Sequence, residues 1–397
     1  MITHLSDLIS HRYSWKTIKN SDLTELYVSM TIKTLGLSLI GIFLPIYLYE
    51  NGLGLLQIAL FYMMAYGIRA LIDYPVTHFT ARFGPKHAMT IANMLLGVFL
   101  IFLVTYPAFH WPLPVLALFD ALSAGLFFTA YHIEFSKIQH TKSAGHELSR
   151  MFQLSKIAGV LGPMIGGLIA YLSDIRMAIV VAIGMVFASG IPLLASKEAV
   201  RTRQKITLKG FAWAKVKRDA IASAALGFEQ VAGMIVWPLF IALFLVGESV
   251  YLGVGFIASI GLLVSLLATK VYGTLVDKGE GRKVLTIGTV VTAAIGSLKA
   301  VAGSFGAAVG LSMASDPASL AVRMAYTKGQ YAKSSEFTGY RDVYWGYMMF
   351  VSNLSRMLFW AILALFAFIL AEKTALQAGL LMGALAGLLV LVNRFKY

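Results

Sequence analysis

The chain contains no cysteine, which excludes disulfides, thiolate metal sites and thiol nucleophiles. Charge is nearly as scarce. Only 13% of residues are charged while 58% are apolar, against roughly 25% charged in an average soluble domain. Too little polar surface remains for a life in water. Also missing are the phosphate-binding Gly-x-x-x-x-Gly-Lys, a dinucleotide fingerprint, His-Glu-x-x-His and a Ser-His-Asp arrangement, so ATP-driven pumping and hydrolysis lack their parts and no cofactor is implied. His132 has no second histidine at ligand spacing, so no metal site is expected. Met1 to Glu25 is polar, with no early apolar core or small-residue cleavage site; no cleavable signal peptide is expected, and the first apolar run serves as its own signal.

What the chain has instead is long apolar runs. They cover Leu26–Tyr49, Leu55–Phe79, Ala88–Tyr106, Leu113–Phe135, Met151–Leu172 and Met177–Ala195, then Ala220–Val246, Tyr251–Val276, Val284–Gly303, Phe305–Tyr326, Asp342–Leu370 and Ala375–Val392. Each has about the 17–25 residues that a bilayer-crossing helix needs. The pattern predicts an all-α integral membrane protein of twelve transmembrane helices in two six-helix bundles, residues 26–195 and 220–392. A cytoplasmic segment 1–25, a basic linker 196–219 and a tail 393–397 complete it. Asp316-Pro317 interrupts the tenth run and blurs its boundaries.

The net charge of +14 does not point to nucleic acid, because the basic residues follow the loops and do not gather on one amphipathic face. With the N-terminus in the cytoplasm, nearly all Lys and Arg outside the runs fall on the inner side, including Lys197, Arg201, Arg203, Lys205, Lys209, Lys215, Lys217 and Arg218 in the linker; Arg176 and Lys373 fall outside. That bias places both termini in the cytoplasm of a cell (inner or plasma) membrane.

Two segments repeat across the chain. Gly273-Thr-Leu-Val-Asp277-Lys278-Gly-Glu-Gly281-Arg282-Lys283 has a damaged twin in Thr77-His-Phe-Thr-Ala81-Arg82-Phe-Gly84-Pro-Lys86. Phe135-Ser-Lys-Ile-Gln-His-Thr-Lys-Ser143 matches Tyr326-Thr-Lys-Gly-Gln-Tyr-Ala-Lys-Ser334. A shared offset in two independent segments indicates a six-span period. The first pair resembles the signature loop of the major facilitator superfamily, Gly-x-x-x-Asp-basic-x-Gly-basic-basic. The resemblance implies two parallel six-helix halves that rock about a midplane site. It also implies that Gly273, Asp277, Lys278, Gly281, Arg282 and Lys283 tie helix ends at a cytoplasmic gate. In the first-half copy Ala81 replaces the acid and Thr77 the leading glycine, leaving Arg82, Gly84 and Lys86.

Gly162-Pro163-Met-Ile-Gly166-Gly167 in the fifth run is a small-residue packing element that lets helix backbones approach. It resembles the antiporter motif of drug exporters in the same superfamily. Ionisable residues inside the runs are the other signal, since an unpaired charge at a helix centre costs at least about 2.5–3.5 kcal/mol on the insertion scale. Asp120, Phe127, Tyr131 and Glu134 share one helical face. The resemblance implies a cavity lined by the first, fourth, seventh and tenth helices, which carry Lys33, Asp120, Glu134, Glu229, Asp316 and Arg323. By depth, Glu229 and Asp316 are the candidate proton carriers; Lys33 is a counter-charge to Glu229 or an anion ligand; Glu134 and Arg323 are gate residues. Arg69 and Asp73, one turn apart, are expected to neutralise each other. Arg356 either reaches a substrate or bonds a neighbouring helix, and Trp237 and Trp345 either stack on a solute or anchor at an interface.

These features predict a proton-coupled secondary transporter working as a monomer in the bilayer, exporting an organic or amphipathic solute. Uptake symport of a small polar or anionic solute, a lipid flippase, and a non-transporting receptor or assembly partner stand as alternatives.

Overall fold

A computed structural model describes residues 20–138, 144–194, 207–337 and 339–395, with side chains described for 28–131, 133, 156–193, 207–337 and 339–395. Lys197, Arg201, Arg203, Lys205 and the side chains of His132 and Glu134 therefore lie outside the described residues. Helices follow one another throughout: α1 (Asn20–Ser38), α2 (Leu44–Glu50), α3 (Leu55–Phe83), α4 (Pro85–Val104), the short α5 (Tyr106–Phe109), α6 (Leu113–Ile138), α7 (Ala144–Leu172) and α8 (Ile175–Leu194). After the linker come α9 (Lys217–Val231), α10 (Trp237–Phe244), α11 (Val250–Leu275), α12 (Gly281–Lys299), α13 (Phe305–Ser335), α14 (Arg341–Ile369) and α15 (Glu372–Gly387). No strand occurs among the described residues.

Eight helical stretches are long and apolar enough to cross a membrane by length and composition. One of them, Val250–Lys299, contains both α11 and α12. Lys156–Leu172 is a shorter apolar helix, and α13, which carries Asp316 and Arg323, is not among the eight.

Two runs depart from the expected pattern. The first is not one helix: it stops at Ser38 and restarts at Leu44. Pro45 at the start of α2 has no amide hydrogen to continue the ladder, and α7 presses on the break. The tenth, by contrast, runs unbroken through Asp316-Pro317 from Phe305 to Ser335. Neighbouring helices in a membrane bundle satisfy the carbonyls that proline frees.

Helix pairs recur in parallel. In the first set α3 and α4 pack on α6, α1 packs on α7 and α8, and α4 packs on α8. In the second set α11 and α12 pack on α13, α9 packs on α14 and α15, and α12 packs on α15. Two seams join the sets, α3 against α14 and α7 against α11.

The α7–α11 seam uses the small residues of the fifth run. A Cβ on Gly162 would overlap the Ser38 side chain, one on Gly166 the Leu39 carbonyl, and one on Gly167 the Tyr251 carbonyl. Gly255 on α11 likewise lies against the Pro163 carbonyl, and the Met164 amide donates to Ser259 Oγ at 3.0 Å. The motif thus sets α7 in backbone contact with the α1 break on one side and α11 on the other. On the α3–α14 seam, Tyr62 stacks on Trp360 with centroids 4.5 Å apart.

The bundle has two distinct ends. One carries the turns at Gly84 and Gly279, both left-handed with φ +97 and +86. The second of these corrects the sequence alignment. The positive-φ glycine of the second loop is Gly279 (φ +86, ψ 4), whereas Gly281 begins α12 with φ −56; in the first loop it is Gly84 (φ +97, ψ 151), directly before α4. Only glycine enters the positive-φ region without strain, and in the second loop Glu280 separates that turn from the helix. At this turn end Asp277 pairs with Lys328 at 2.7 Å, and Arg282 donates to the carbonyls of Leu391 and Asn393 at 2.8 Å each. Lys283 reaches Glu280 at 3.5 Å, Lys278 is exposed, and Gly273 lies against Met324. All these contacts stay within the second helix set. In the first loop Arg82 is exposed, 5.4 Å from the centre of the Phe83 ring, while Lys86 is buried.

At the opposite end the two sets exchange bonds reciprocally. Tyr49 OH donates to Glu372 at 2.8 Å, while the neighbouring Glu50 accepts from Tyr251 OH at 2.5 Å. A continuous apolar core beneath, including Phe43, Tyr47, Leu55, Phe240, Phe359 and Trp360, spans both sets.

Candidate functional site

Two of the polar clusters in the largely apolar interior hold the candidate carboxylates Asp120, Glu229 and Asp316. The first lies on the α3–α14 seam. Arg69 pairs with Asp120 of α6 at 2.5 Å, and both side chains are largely buried. Asp73, expected to neutralise Arg69, instead accepts from Asn353 Nδ2 of α14 at 2.8 Å. One turn of helix puts Arg69 and Asp73 on one face, but the partners supplied by α6 and α14 come closer than each does to the other. Arg356, one turn beyond Asn353, donates to Gln230 of α9 at 2.5 Å and lies 5.6 Å from the centre of the Tyr66 ring, with Arg69 4.7 Å from the same centre. Asp120 and Arg356 thus belong to one network.

The second cluster surrounds a cavity of about 170 Å³ inside the second helix set. Its wall includes Glu229, Asp316, Ser319, Arg323, Lys299 and Trp237, with Ile42 from the turn between α1 and α2. Glu229 Oε1 accepts from Ser319 Oγ at 2.6 Å, while Oε2 is buried without a hydrogen-bond partner. The Asp316 carboxylate accepts from Ser315 Oγ at 3.2 Å and fills the space a side chain on Gly261 would need. Lys299 is 4% exposed, 4.9 Å from the centre of the Trp237 ring; Trp237 Nε1 donates to Ser312 Oγ at 2.9 Å. Glu229 lies in the last turn of α9, just before a π-helical turn, Ala232–Val236, with Pro238 following. Such turns inside α-helices mark sites where a helix leaves its ladder.

Lys33 is not the counter-charge of Glu229. Its ammonium is buried in the first set, donating to Asn93 Oδ1 at 2.7 Å and sitting 3.0 Å from the centre of the Phe127 ring. Asn93 in turn donates to Ser189 Oγ at 3.0 Å. Tyr131 stacks parallel to Phe127, so the face predicted on α6 reaches Arg69 through Asp120 and Lys33 through Phe127. Trp237 lines the cavity, whereas Trp345 is buried among Tyr331 and Tyr344 near the turn end.

Sequence reasoning missed Lys299, Asn93, Gln230 and Lys156. Lys299 sits at the last residue of its helix, where a lysine normally reaches water, and the neutral amides carry no charge signal. Nothing in their spacing distinguishes them.

The cysteine-free sequence gives direct access to the inter-set bonds. With Ile42→Cys as the only thiol, the double change Tyr49→Phe and Tyr251→Phe is expected to raise its labelling rate on the order of tenfold, as loss of two partly exposed hydrogen bonds of about 0.5–1 kcal/mol each implies. An unchanged rate would mean that the apolar core alone holds that end shut.

The family model described as the Major Facilitator Superfamily matches residues 26–360. Among solved structures, a crystal structure of a point mutant of the nucleoside transporter NupG matches with a TM-score of 0.68 at 14% identity, over 93% of this chain and 98% of that one. At that identity the likeness is one of fold. No curated protein matches.

Proposed function

Because the chain belongs to the major facilitator superfamily, we propose that it is a secondary transporter in which two six-helix bundles, 26–195 and 220–392, rock about the polar interior. On this reading the eight apolar stretches become twelve spans when α11 and α12 are counted apart and α1–α2, α7 and α13 are added. The turn end is the cytoplasmic one, with both termini there, in the cell membrane, and the chain works as a monomer. Family and fold both point to transport rather than catalysis.

The observation that carries the reading is the pair Glu229 and Asp316 on the wall of one cavity, with Lys299 and Arg323. A buried carboxylate oxygen with no partner, such as Glu229 Oε2, is a costly place for bare charge and a natural place to hold a proton. We assign proton loading to this pair. The parallel helix packing supports two rocking bodies, and the reciprocal bonds of Tyr49, Glu50, Tyr251 and Glu372 serve as the outer latch. The loop contacts of Asp277 and Arg282 brace the second bundle at the cytoplasmic side.

Export of an organic or amphipathic solute is the direction we propose first. Uptake of a small polar or anionic solute is the second reading, favoured by Arg356 and Arg323, whose guanidinium groups have only neutral hydrogen-bond partners among the described residues. The test is solute-dependent proton movement in proteoliposomes under an imposed pH gradient, with pooled solutes. The sign of the movement gives direction, and absence of movement with every pool, while labelled solute still crosses, would replace coupling by facilitated passage.

A further inference from the structure

At and beside the cavity, two cations from different bundles lack a direct ion-pair partner among the described residues. Lys156 on α7 is half-buried, and its Nζ donates to Thr269 Oγ1 of α11 at 3.0 Å. Arg323 on α13 is half-buried as well; its Nη1 meets only the Met234 sulfur at 3.9 Å, and its Nε is buried with no partner. Among the described residues neither forms an ion pair.

The two lie at one level of the bundle. Helix α11 packs between α7 and α13, and Gly273, one turn beyond Thr269, lies against Met324, the neighbour of Arg323. Arg323 is within electrostatic reach of Lys156. Like charges held together on neutral partners away from water are costly unless something of opposite sign completes the site. Glu229 and Asp316 face Arg323 from the cavity side, within electrostatic reach of both it and Lys299, but neither carboxylate accepts a hydrogen bond from its guanidinium.

We propose that Lys156 and Arg323 form the anion subsite for the transported solute, which carries a carboxylate or phosphate group. This rests on the transport reading above and names the substrate class for it. The free Nε–H of Arg323, with its guanidinium fork, suits an oxyanion, while Lys156 supplies a point charge from the other side. One ligand group held by one residue from each bundle ties the bundles together. Differential contact of that kind is what lets a solute shift their equilibrium.

The experiment is a thermal-melting titration of the purified chain in detergent micelles with inorganic phosphate and, separately, acetate, with sodium chloride at equal ionic strength as reference. A saturable rise in melting temperature with at least one oxyanion, absent with chloride, is expected. Lys156→Gln and Arg323→Gln should each raise the half-saturating concentration about tenfold or more, the worth of one charge-assisted hydrogen bond. Lys156→Arg and Arg323→Lys keep the charge and should lose less. Lys278→Gln, on the exposed turn, should respond as wild type. No saturable rise with either anion overturns the proposal, as do glutamine variants that respond like wild type. A rise with phosphatidylglycerol alone reassigns the site to a lipid headgroup and overturns it too. If the glutamine variants fail to fold, the wild-type titration and the charge-conserving pair still decide. Since the readout is binding, a positive titration with no proton movement in vesicles would sink the coupling reading and leave the subsite standing, and the reverse result would do the opposite.

Discussion

Glu229→Gln is expected to reduce solute-driven proton movement to the level of protein-free vesicles while leaving solute exchange intact. Glutamine keeps the shape of the side chain and the acceptor that Ser319 Oγ reaches at 2.6 Å. What it loses is the capacity to take up and release a proton. Exchange of labelled for unlabelled solute needs the bundles to rock but no net proton transfer, so the two assays separate coupling from folding and from binding. Ser319→Ala is the comparison. It removes one hydrogen bond worth about 1 kcal/mol and should weaken proton movement without abolishing it. If Glu229→Gln moves protons normally and Asp316→Asn does not, the carrier is Asp316, held in the space beside Gly261. If both variants move protons normally, the cavity acids are packing devices and the coupling proposal is wrong.

The second large effect is expected at the seam. Gly166→Val should lower the melting temperature and stop transport, because its first added carbon would occupy the position of the Leu39 carbonyl. The obstacle is backbone at the break between α1 and α2, so no side-chain rotation relieves it. Overpacking of this kind costs typically about 1–3 kcal/mol, and pushing α7 outward would also part it from α11, where Gly167 and Pro163 touch Tyr251 and Gly255. Gly184→Ala on α8, with nothing within 4 Å of the added carbon, should leave both stability and transport unchanged. Equal effects of the two changes would show that α7 is not held by close backbone contact.

Particular residues show how far the sequence could be read. Asp120, Glu229 and Asp316 were visible as site candidates because charge is rare in apolar runs and must face inward. The partners were not visible. Arg69 and Asp73 looked like a pair because helix spacing is a local rule, yet Asp120 of α6 and Asn353 of α14 take them in opposite directions. Lys33 looked like an answer to Glu229 because both sit on helices expected to line one cavity. Asn93 and Phe127 hold it inside the first helix set instead. Lys299 drew no notice at a helix end, where basic residues are ordinary, and Lys156 was passed over although it lies inside the fifth run. Only packing buries Lys299 against Trp237 and sets Lys156 within reach of Arg323.

The sequence by itself determined the class of environment, the helical architecture and the repeat, since hydropathy, charge bias and internal period are summed over many residues and survive local error. It also determined that small residues in the fifth run would sit at a close approach. The tertiary structure alone decided which helix fills that approach, where the first run breaks, that Gly279 and not Gly281 takes the left-handed turn, and which charge meets which. Those outcomes depend on contacts between segments far apart in the chain, and a side chain's partner is fixed by distances of a few ångströms that no local spacing encodes.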